Sequence, residues 1–221
     1  MDAASRSCVD IRAIRFLAIL CAGSLAMTIL FAALWRQQGF DMIVVLQARK
    51  IPYEIIFLQI VSDIKSFFCL GIPIALLLLG VIRRSPRIRE KAALVIAAVL
   101  LAGLFSFAVK RIVREPRPFE VDTRIAQYSG GGGYGFPSGH TLEAVASAAM
   151  LCVLWPSATS ILCAASFCFL IMLSRVYLGV HDPAEVAGGF FFGTVCALIT
   201  CVGYNRSIRS LPAFNVKKTT A

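Results

Sequence analysis

Charged residues are scarce in this chain, so it has too little of the polar surface that a water-soluble domain needs. Only 15% of the 221 residues are Asp, Glu, Lys or Arg, whereas 58% are hydrophobic, and the mean hydropathy is +0.80. A soluble globule of this size covers itself with polar side chains. The composition therefore excludes a soluble domain and predicts an integral membrane protein.

Histidine is rarer still, and cysteine pairs are absent. The two histidines, His140 and His181, are accompanied by neither an HExxH motif nor a carboxylate cluster. We therefore expect no metal site and no cofactor. Eight cysteines occur without a CxxC pair, and seven of them lie inside apolar stretches, which is typical of buried thiols rather than of disulfides or zinc ligands.

The net charge of +10 does not indicate a nucleic-acid partner. The basic residues punctuate apolar runs instead of clustering on a soluble surface, which is the pattern that nucleic-acid binding requires. We expect no nucleic-acid partner, and the lipid bilayer is the surrounding that this pattern predicts.

Six apolar runs are candidates for membrane spans, because about twenty helical residues cross about 30 Å of hydrocarbon. They are 14–34, 55–82, 92–109, 141–155, 158–178 and 184–204. The fourth run is short and carries Glu143, but the Trp155-Pro156-Ser157 sequence after it is typical of a turn to the fifth. The first resembles a signal peptide but is too long for one, and we expect it to be retained. With no repeat and no linker, residues 1–221 are predicted to form one all-α bundle of six transmembrane helices.

The basic residues also predict the orientation of the bundle. Five of the nine residues in 83–91 are Lys or Arg, and such clusters stay on the cytoplasmic side. Both termini are therefore predicted to be cytoplasmic. The segments 36–54, 110–140 and 174–185 then lie on the outer face, the first as a loop.

Three cations in the outer segments favour a dianionic ligand. Lys110, Arg117 and Arg175 are expected to converge at the membrane face, where Arg gives bidentate contacts to oxygens and Lys gives a point charge. Phosphate fits this set best. For phosphoryl transfer, His140 and His181 offer one nitrogen nucleophile and one proton donor.

Pro137-Ser138-Gly139-His140 opens the fourth span. The free N–H groups at the start of that helix and the Ser138 hydroxyl are expected to bind an anion, and Gly139 lets the backbone approach closely. The nearby run 130–133 contains only glycine. It lacks the GK[ST] ending of a phosphate loop, and we interpret it as a flexible loop or lid.

The order of these residues resembles the type 2 phosphatidic acid phosphatase family, which includes vanadium haloperoxidases and glucose-6-phosphatase. The family signature is KxxxxxxRP, then PSGH, then SRxxxxxHxxxD. Its three parts correspond here to Lys110–Pro118, Pro137–His140 and Ser174–Glu185. Only the last acid departs from the signature, because Glu185 stands where the family has Asp.

The resemblance implies a two-step displacement on a membrane lipid phosphate. In it, His181 attacks phosphorus to form a phosphohistidine, and His140 protonates the leaving oxygen. The acid at 185 orients His181 and stabilises its charge. The phosphoryl oxygens are held by Lys110, Arg117, Ser138, Gly139 and Arg175.

The sequence leaves several points open. Asp182-Pro183-Ala184-Glu185 is also typical of a helix start, so Glu185 is predicted to complete a capping box, and Asp182 is the rival partner for His181. Asp63 and Lys65 are interpreted as an interfacial polar pair, with contact to a substrate headgroup as the alternative.

The function predicted from the sequence and the resemblance is a membrane lipid phosphatase, in the bacterial inner membrane with its site facing the periplasm. Candidate substrates in such relatives are undecaprenyl diphosphate, phosphatidylglycerophosphate, phosphatidic acid and the 1-phosphate of lipid A. A lipid phosphotransferase is the nearest alternative. A transporter of an anionic lipid is the alternative from another class, and the absence of repeats and of broken helices argues against it.

Overall fold

The computed structural model describes residues 9–34, 36–49 and 51–210, and within these ranges it is helical without β-strands. Its helices are α1 Ile11–Leu34, α2 Arg36–Gln47, α3 Pro52–Asp63, α4 Ile72–Ile82, α5 Pro86–Val113, α6 Pro118–Val121, α7 Gly139–Leu154, α8 Ala158–Tyr177 and α9 Pro183–Ser210.

Five helical stretches in the described part of the chain are long and apolar enough to cross a membrane. They are Ile11–Leu34, Pro52–Ile82, Pro86–Val121, Ala158–Tyr177 and Pro183–Ser207. The fourth predicted span corresponds to α7, which is apolar but has only 16 residues. Large apolar side chains such as Phe16, Leu104 and Phe169 are exposed on the outside of the bundle, as expected of a surface that faces lipid. The prediction of an all-helical membrane protein is confirmed.

The burial of several cysteines agrees with the interpretation of the cysteines as buried thiols. No disulfide joins the seven cysteines in the described ranges to one another, and Cys69, Cys168, Cys196 and Cys201 are buried. Cys8 lies outside the described residues. These four cysteines act as small apolar side chains in the helical core.

The segment 36–54 is not the loop that we predicted, because α2 occupies most of it. Phe40 and Ile43 are three residues apart and both buried, which is the spacing of one helix face. They pack against a cluster that contains Ile125 and Val176. The segment folds as a helix because these apolar side chains cover the loop after α6 and the end of α8.

The stretch from Pro52 to Ile82 is one helical stretch, but it is not a regular α-helix throughout. A turn at Ile64 ends α3, and residues Phe67–Gly71 form a π-helical turn before α4 begins. A π-turn inserts an extra residue and so changes which side chains face inward. The chain does not unwind here, since Ile64 keeps right-handed helical angles.

The interpretation of Asp63 and Lys65 as an interfacial pair is also wrong for Lys65. Lys65 is 6% exposed and forms an ion pair with Glu143 of α7. A charge removed from water needs a partner of opposite sign, and the short fourth span supplies one. Asp63, two residues earlier, is exposed.

The most buried helix is α7, which packs against α5, α8 and α9. Small side chains allow this packing, because Gly189 and Gly193 of α9 face α7. A Cβ atom at Gly189 would lie 2.7 Å from the carbonyl oxygen of Ser138, and one at Gly193 would lie 2.6 Å from that of Leu142. Close helix contacts through small residues are typical of membrane bundles.

The helix ends that carry the signature residues meet at one end of the bundle. The backbone N–H of Ser138, just before α7, donates to the carbonyl oxygen of Glu185 in the first turn of α9 at 3.0 Å. Arg117, which precedes α6, donates from Nη1 to the carbonyl oxygen of Val180 after α8 at 3.1 Å. Segments distant in sequence are therefore joined at this end.

Candidate active site

His181 and Glu185 form a buried pair at the start of α9. His181 lies in the turn between α8 and α9, where its backbone N–H donates to the carbonyl oxygen of Arg175 at 3.2 Å. Its Nδ1 lies 2.7 Å from Oε2 of Glu185, and the two residues are 2% and 1% exposed. An ionised carboxylate accepts hydrogen bonds and cannot donate them. When Glu185 is ionised, Nδ1 therefore carries the proton of this contact and Nε2 keeps its lone pair.

The electrostatic environment keeps this imidazole neutral. Burial, and after it the positive charges of Arg175, Arg117 and Lys110, lower the pKa of His181 well below its ordinary value of 6.5. His140 acts on His181 in the same direction. An unprotonated imidazole is the form that attacks an electrophile. The four residues that lower the pKa of His181 all belong to the predicted site.

The alternative interpretation made Asp182 the partner of His181, but Asp182 hydrogen-bonds with Glu185 instead. Its Oδ1 accepts from the backbone N–H of Glu185 at 2.8 Å, and its own N–H donates to Oε2 of Glu185 at 3.2 Å. This reciprocal pattern is a capping box around the first turn of α9. The carboxylate in contact with His181 is that of Glu185, and both features predicted for Glu185 occur together.

Arg175, in the last turn of α8, is 1% exposed. Its Nη1 donates to the Ser62 hydroxyl of α3 and lies 3.4 Å from Oγ of Ser129. Within the described part of the chain its buried Nε has no hydrogen-bond partner. A buried guanidinium with a donor to spare is suited to an anionic ligand.

Backbone carbonyls of the glycine-rich loop hold the other two cations. Arg117 is 5% exposed and donates from Nε to Gly133 at 2.9 Å and from Nη2 to Gly132 at 3.0 Å. Lys110 donates to Tyr134 and to Gly135 at 3.0 Å. The loop that we interpreted as a flexible loop or lid therefore orients two of the predicted phosphate-binding side chains.

The start of α7 brings the remaining signature residues to the same end. Ser138 is fully buried, its hydroxyl makes no capping bond to α7, and its Oγ accepts from Thr141 at 3.1 Å. A Cβ atom at Gly139 would lie 3.0 Å from Oγ of Ser106, so this glycine lets α7 approach α5. His140 follows, half-buried.

All eight predicted site residues thus come together at one end of the bundle. They are Lys110, Arg117, Ser138, Gly139, His140, Arg175, His181 and Glu185. The pattern combines a carboxylate-oriented imidazole with three cations, which is what a site for phosphoryl transfer requires.

Sequence reasoning missed the residues that support this set from outside the signature. Ser62 and Ser129 contact Arg175. Lys65, which is buried, forms an ion pair with the partly buried Glu143, one helical turn from His140. Gly135 lies directly against Glu185, because a Cβ atom built there would overlap its carboxylate. The signal for Gly135 was the glycine run before it, whereas Ser62 had no signal in the sequence.

Replacement of Gly135 by alanine is expected to lower kcat about 10²-fold, the usual cost of displacing a positioning group by about 1 Å. The new methyl group would push the Glu185 carboxylate away from His181. Phosphate release by the purified variant measures the effect. Gly132→Ala is the matched control, since nothing lies within 4 Å of its Cβ position, and we expect it to stay within about threefold of the unchanged protein. Equal losses in the two variants would contradict the role of the Gly135–Glu185 contact.

Comparisons with known proteins identify a family and a sequence relative. A model of the PAP2 superfamily matches residues 91–209. The chain is 35% identical over 145 residues to the decaprenylphosphoryl-5-phosphoribose phosphatase of Mycobacterium tuberculosis, a match that covers 62% of this chain and 75% of that protein.

Two solved structures have a similar fold. The PAP2-type phosphatidylglycerolphosphate phosphatase from Bacillus subtilis matches with a TM-score of 0.66 and 20% identity over 91% of this chain and 98% of that one. LpxE from Aquifex aeolicus matches with a TM-score of 0.61 and 24% identity over 72% of this chain and 92% of that one. At these identities the likeness shows the fold alone.

The helical bundle, the site and the sequence relative together define an integral membrane phosphatase, a hydrolase of phosphate esters. The chain belongs to the PAP2 superfamily. The resemblance given by the three-part signature is confirmed.

Proposed function

We propose that this chain hydrolyses a phosphomonoester or diphosphate on a membrane lipid through a phosphohistidine intermediate. The observation that carries the proposal is the 2.7 Å contact between Nδ1 of His181 and Glu185. It leaves Nε2 of a neutral imidazole free beside the three cations Lys110, Arg117 and Arg175.

In the first step, Nε2 of His181 attacks phosphorus and forms an N–P bond. The bond from phosphorus to the leaving oxygen breaks and its electron pair goes to that oxygen. His140, which enters this step as the imidazolium, donates its proton there and becomes neutral. The imidazole becomes positively charged, and the Glu185 carboxylate stabilises this charge. Charge that develops on the phosphoryl oxygens is stabilised by the three cations, the Ser138 hydroxyl and the backbone at Gly139.

In the second step, water attacks phosphorus and transfers a proton to His140. The N–P bond breaks and its electron pair returns to Nε2 of His181, which restores the neutral imidazole and releases inorganic phosphate. None of these steps needs a metal ion or another cofactor, because the cations of the chain carry out the charge stabilisation.

We place this chemistry in one domain, residues 1–221, with six transmembrane helices and both termini in the cytoplasm of a bacterial cell. Five helical stretches of sufficient length and the shorter α7 support the count, and the five basic residues in 83–91 support the orientation. The site, at the opposite end of α5 from this basic cluster, then faces the periplasm at the surface of the inner membrane. There it meets phosphates at the depth of the lipid headgroups.

Candidate substrates are undecaprenyl diphosphate, phosphatidylglycerophosphate, phosphatidic acid and the 1-phosphate of lipid A. The Mycobacterium tuberculosis relative adds decaprenylphosphoryl-5-phosphoribose, the substrate in that protein's name. All five present a phosphate group close to the bilayer surface.

The test is release of inorganic phosphate from this panel by the purified protein in detergent, with EDTA present. We expect hydrolysis of at least one substrate at a rate that EDTA leaves unchanged, because the mechanism uses no divalent ion. Orthovanadate should inhibit competitively, since it adopts the five-coordinate geometry of the transition state. Complete loss in EDTA, restored by one specific divalent ion, would overturn the mechanism.

A further inference from the structure

A polar cavity lies beside the phosphate-binding residues and has no role in the chemistry described above. Its volume is about 660 Å³, and it is lined by Gln59, Asp63, Gln127, Tyr128, Ser129 and Gly130. Cavities of this size are typical of small-molecule sites. Its walls are the last turns of α3 and the loop that precedes the glycine run.

The cavity borders the phosphate site through Arg175. Ser129, which lines the cavity, lies 3.4 Å from Nη1 of Arg175. The same guanidinium donates to the hydroxyl of Ser62, the residue immediately before Asp63. The Asp63 carboxylate is near enough for its charge to act on Arg175. A phosphate group held by Arg175 would therefore direct the rest of its molecule towards this cavity.

The side chains around the cavity offer mainly hydrogen-bond acceptors. Gln59 uses its amide N–H to hold the carbonyl oxygen of Tyr128, and Gln127 donates to that of Ser129 at 2.9 Å. Among the described residues, the Oε1 atoms of both glutamines and the Asp63 carboxylate have no hydrogen-bond donor. Asp63 and Gln127 are exposed. The cavity is thus suited to a ligand that donates hydrogen bonds.

The charges near the cavity restrict the ligand further. A positively charged group on the ligand would be repelled by Arg175, Arg117 and Lys110. A second phosphate at the same place would be repelled by the Asp63 carboxylate. Hydroxyl groups carry no charge, donate to carboxylate and amide oxygens, and accept from amides, so they satisfy both conditions.

We infer that this cavity binds the leaving group of the substrate and selects a hydroxyl-bearing one, a lipid-linked sugar phosphate, over a simple lipid phosphate or a diphosphate. The inference rests on the proposed function, since it assigns the group esterified to the phosphate that His181 attacks. Asp63 is the specificity-determining residue, and Gln59 and Gln127 complete the set. The sugar in the substrate of the Mycobacterium tuberculosis relative is of this chemical class.

The experiment measures kcat/KM for decaprenylphosphoryl-5-phosphoribose, phosphatidic acid and undecaprenyl diphosphate with the unchanged protein and Asp63→Asn. The unchanged protein should prefer the sugar phosphate. Asp63→Asn keeps the shape but loses the charge, so the ratio of kcat/KM for the sugar phosphate to that for phosphatidic acid should fall about tenfold, as for a lost hydrogen bond to a charged group. The ratio for undecaprenyl diphosphate to phosphatidic acid should rise, because the repulsion is relieved.

Asp41→Asn is the matched control. Asp41 is a carboxylate beside the same outer loop, where it pairs with Arg124 at 2.8 Å, but it does not line the cavity. Its substitution should leave all three ratios unchanged. An unchanged sugar-phosphate ratio in Asp63→Asn, or no hydrolysis of the sugar phosphate by a protein that hydrolyses phosphatidic acid, would overturn the inference and leave the proposed function standing. No phosphate release from any substrate would instead count against the proposed function itself.

Discussion

Replacement of His181 by asparagine is expected to lower the rate of hydrolysis of every lipid substrate by about 10⁴-fold or more, because it removes the nucleophilic nitrogen. Asparagine is the informative substitution here. Its side-chain N–H can still donate to the buried Glu185 carboxylate, so the variant avoids an unpaired buried acid that would destabilise the fold. Phosphate release gives the rate, and a monodisperse elution profile in detergent shows that the variant is folded.

The phosphohistidine itself gives a second measurement. Rapid quenching of the unchanged protein with a labelled substrate should trap acid-labile phosphate on the chain, and the His181→Asn variant should trap none. His140→Ala is expected to trap the label from an aryl phosphate, whose leaving oxygen hardly needs a proton, but to react slowly with an alkyl phosphate. Labelled protein in the His181→Asn variant would assign the nucleophile elsewhere.

The membrane helices could be predicted from the sequence because length and hydropathy are local properties. The runs 158–178 and 92–109 correspond to helices Ala158–Tyr177 and Pro86–Val113. Helix α2 was missed because its apolar face is only a few residues wide, and the residues that bury Phe40 and Ile43 come from distant parts of the chain. The burial of Lys65 was missed for a similar reason, since its partner Glu143 is far away in the sequence.

The site was predictable to the extent that its residues lie in spaced motifs. The motifs gave the identity of His140, His181 and the cations, and the antiparallel order of the helices brought them together. Ser62, in contrast, contacts Arg175 across a separation of 113 residues, and an isolated serine in an apolar helix gives no signal. The polar cavity at Asp63 likewise depends on how the loop before the glycine run folds against α3.

The acid at position 185 shows what a local pattern leaves undecided. The segment from Asp182 to Glu185 predicts both a capping box and a partner for His181, and the sequence does not say which carboxylate faces the imidazole. Helical geometry separates the two, because residues four apart share a face. Asp182 Oδ1 bonds the backbone of Glu185 at 2.8 Å, while Glu185 reaches Nδ1 of His181 at 2.7 Å.

Glu185→Gln is therefore expected to lower kcat by roughly 10² to 10⁴, by analogy with the aspartate of a Ser-His-Asp triad. Glutamine has the same shape, but it loses the negative charge that stabilises the positively charged imidazole of the intermediate. Its amide can also donate to Nδ1, which would move the ring proton to Nε2 and remove the attacking lone pair. Steady-state phosphate release gives kcat.

Asp182→Asn, measured in the same assay, is expected to change kcat by less than about tenfold, because asparagine caps a helix about as well as aspartate does. Its side-chain oxygen can still accept from the backbone N–H of Glu185, so the first turn of α9 stays in place and the Glu185 carboxylate still meets His181. Loss of a cap alone would lower thermal stability in detergent without selectively lowering kcat. If Asp182→Asn were the more damaging substitution at unchanged thermal stability, the orienting role would belong to Asp182, and Glu185 would be a capping residue.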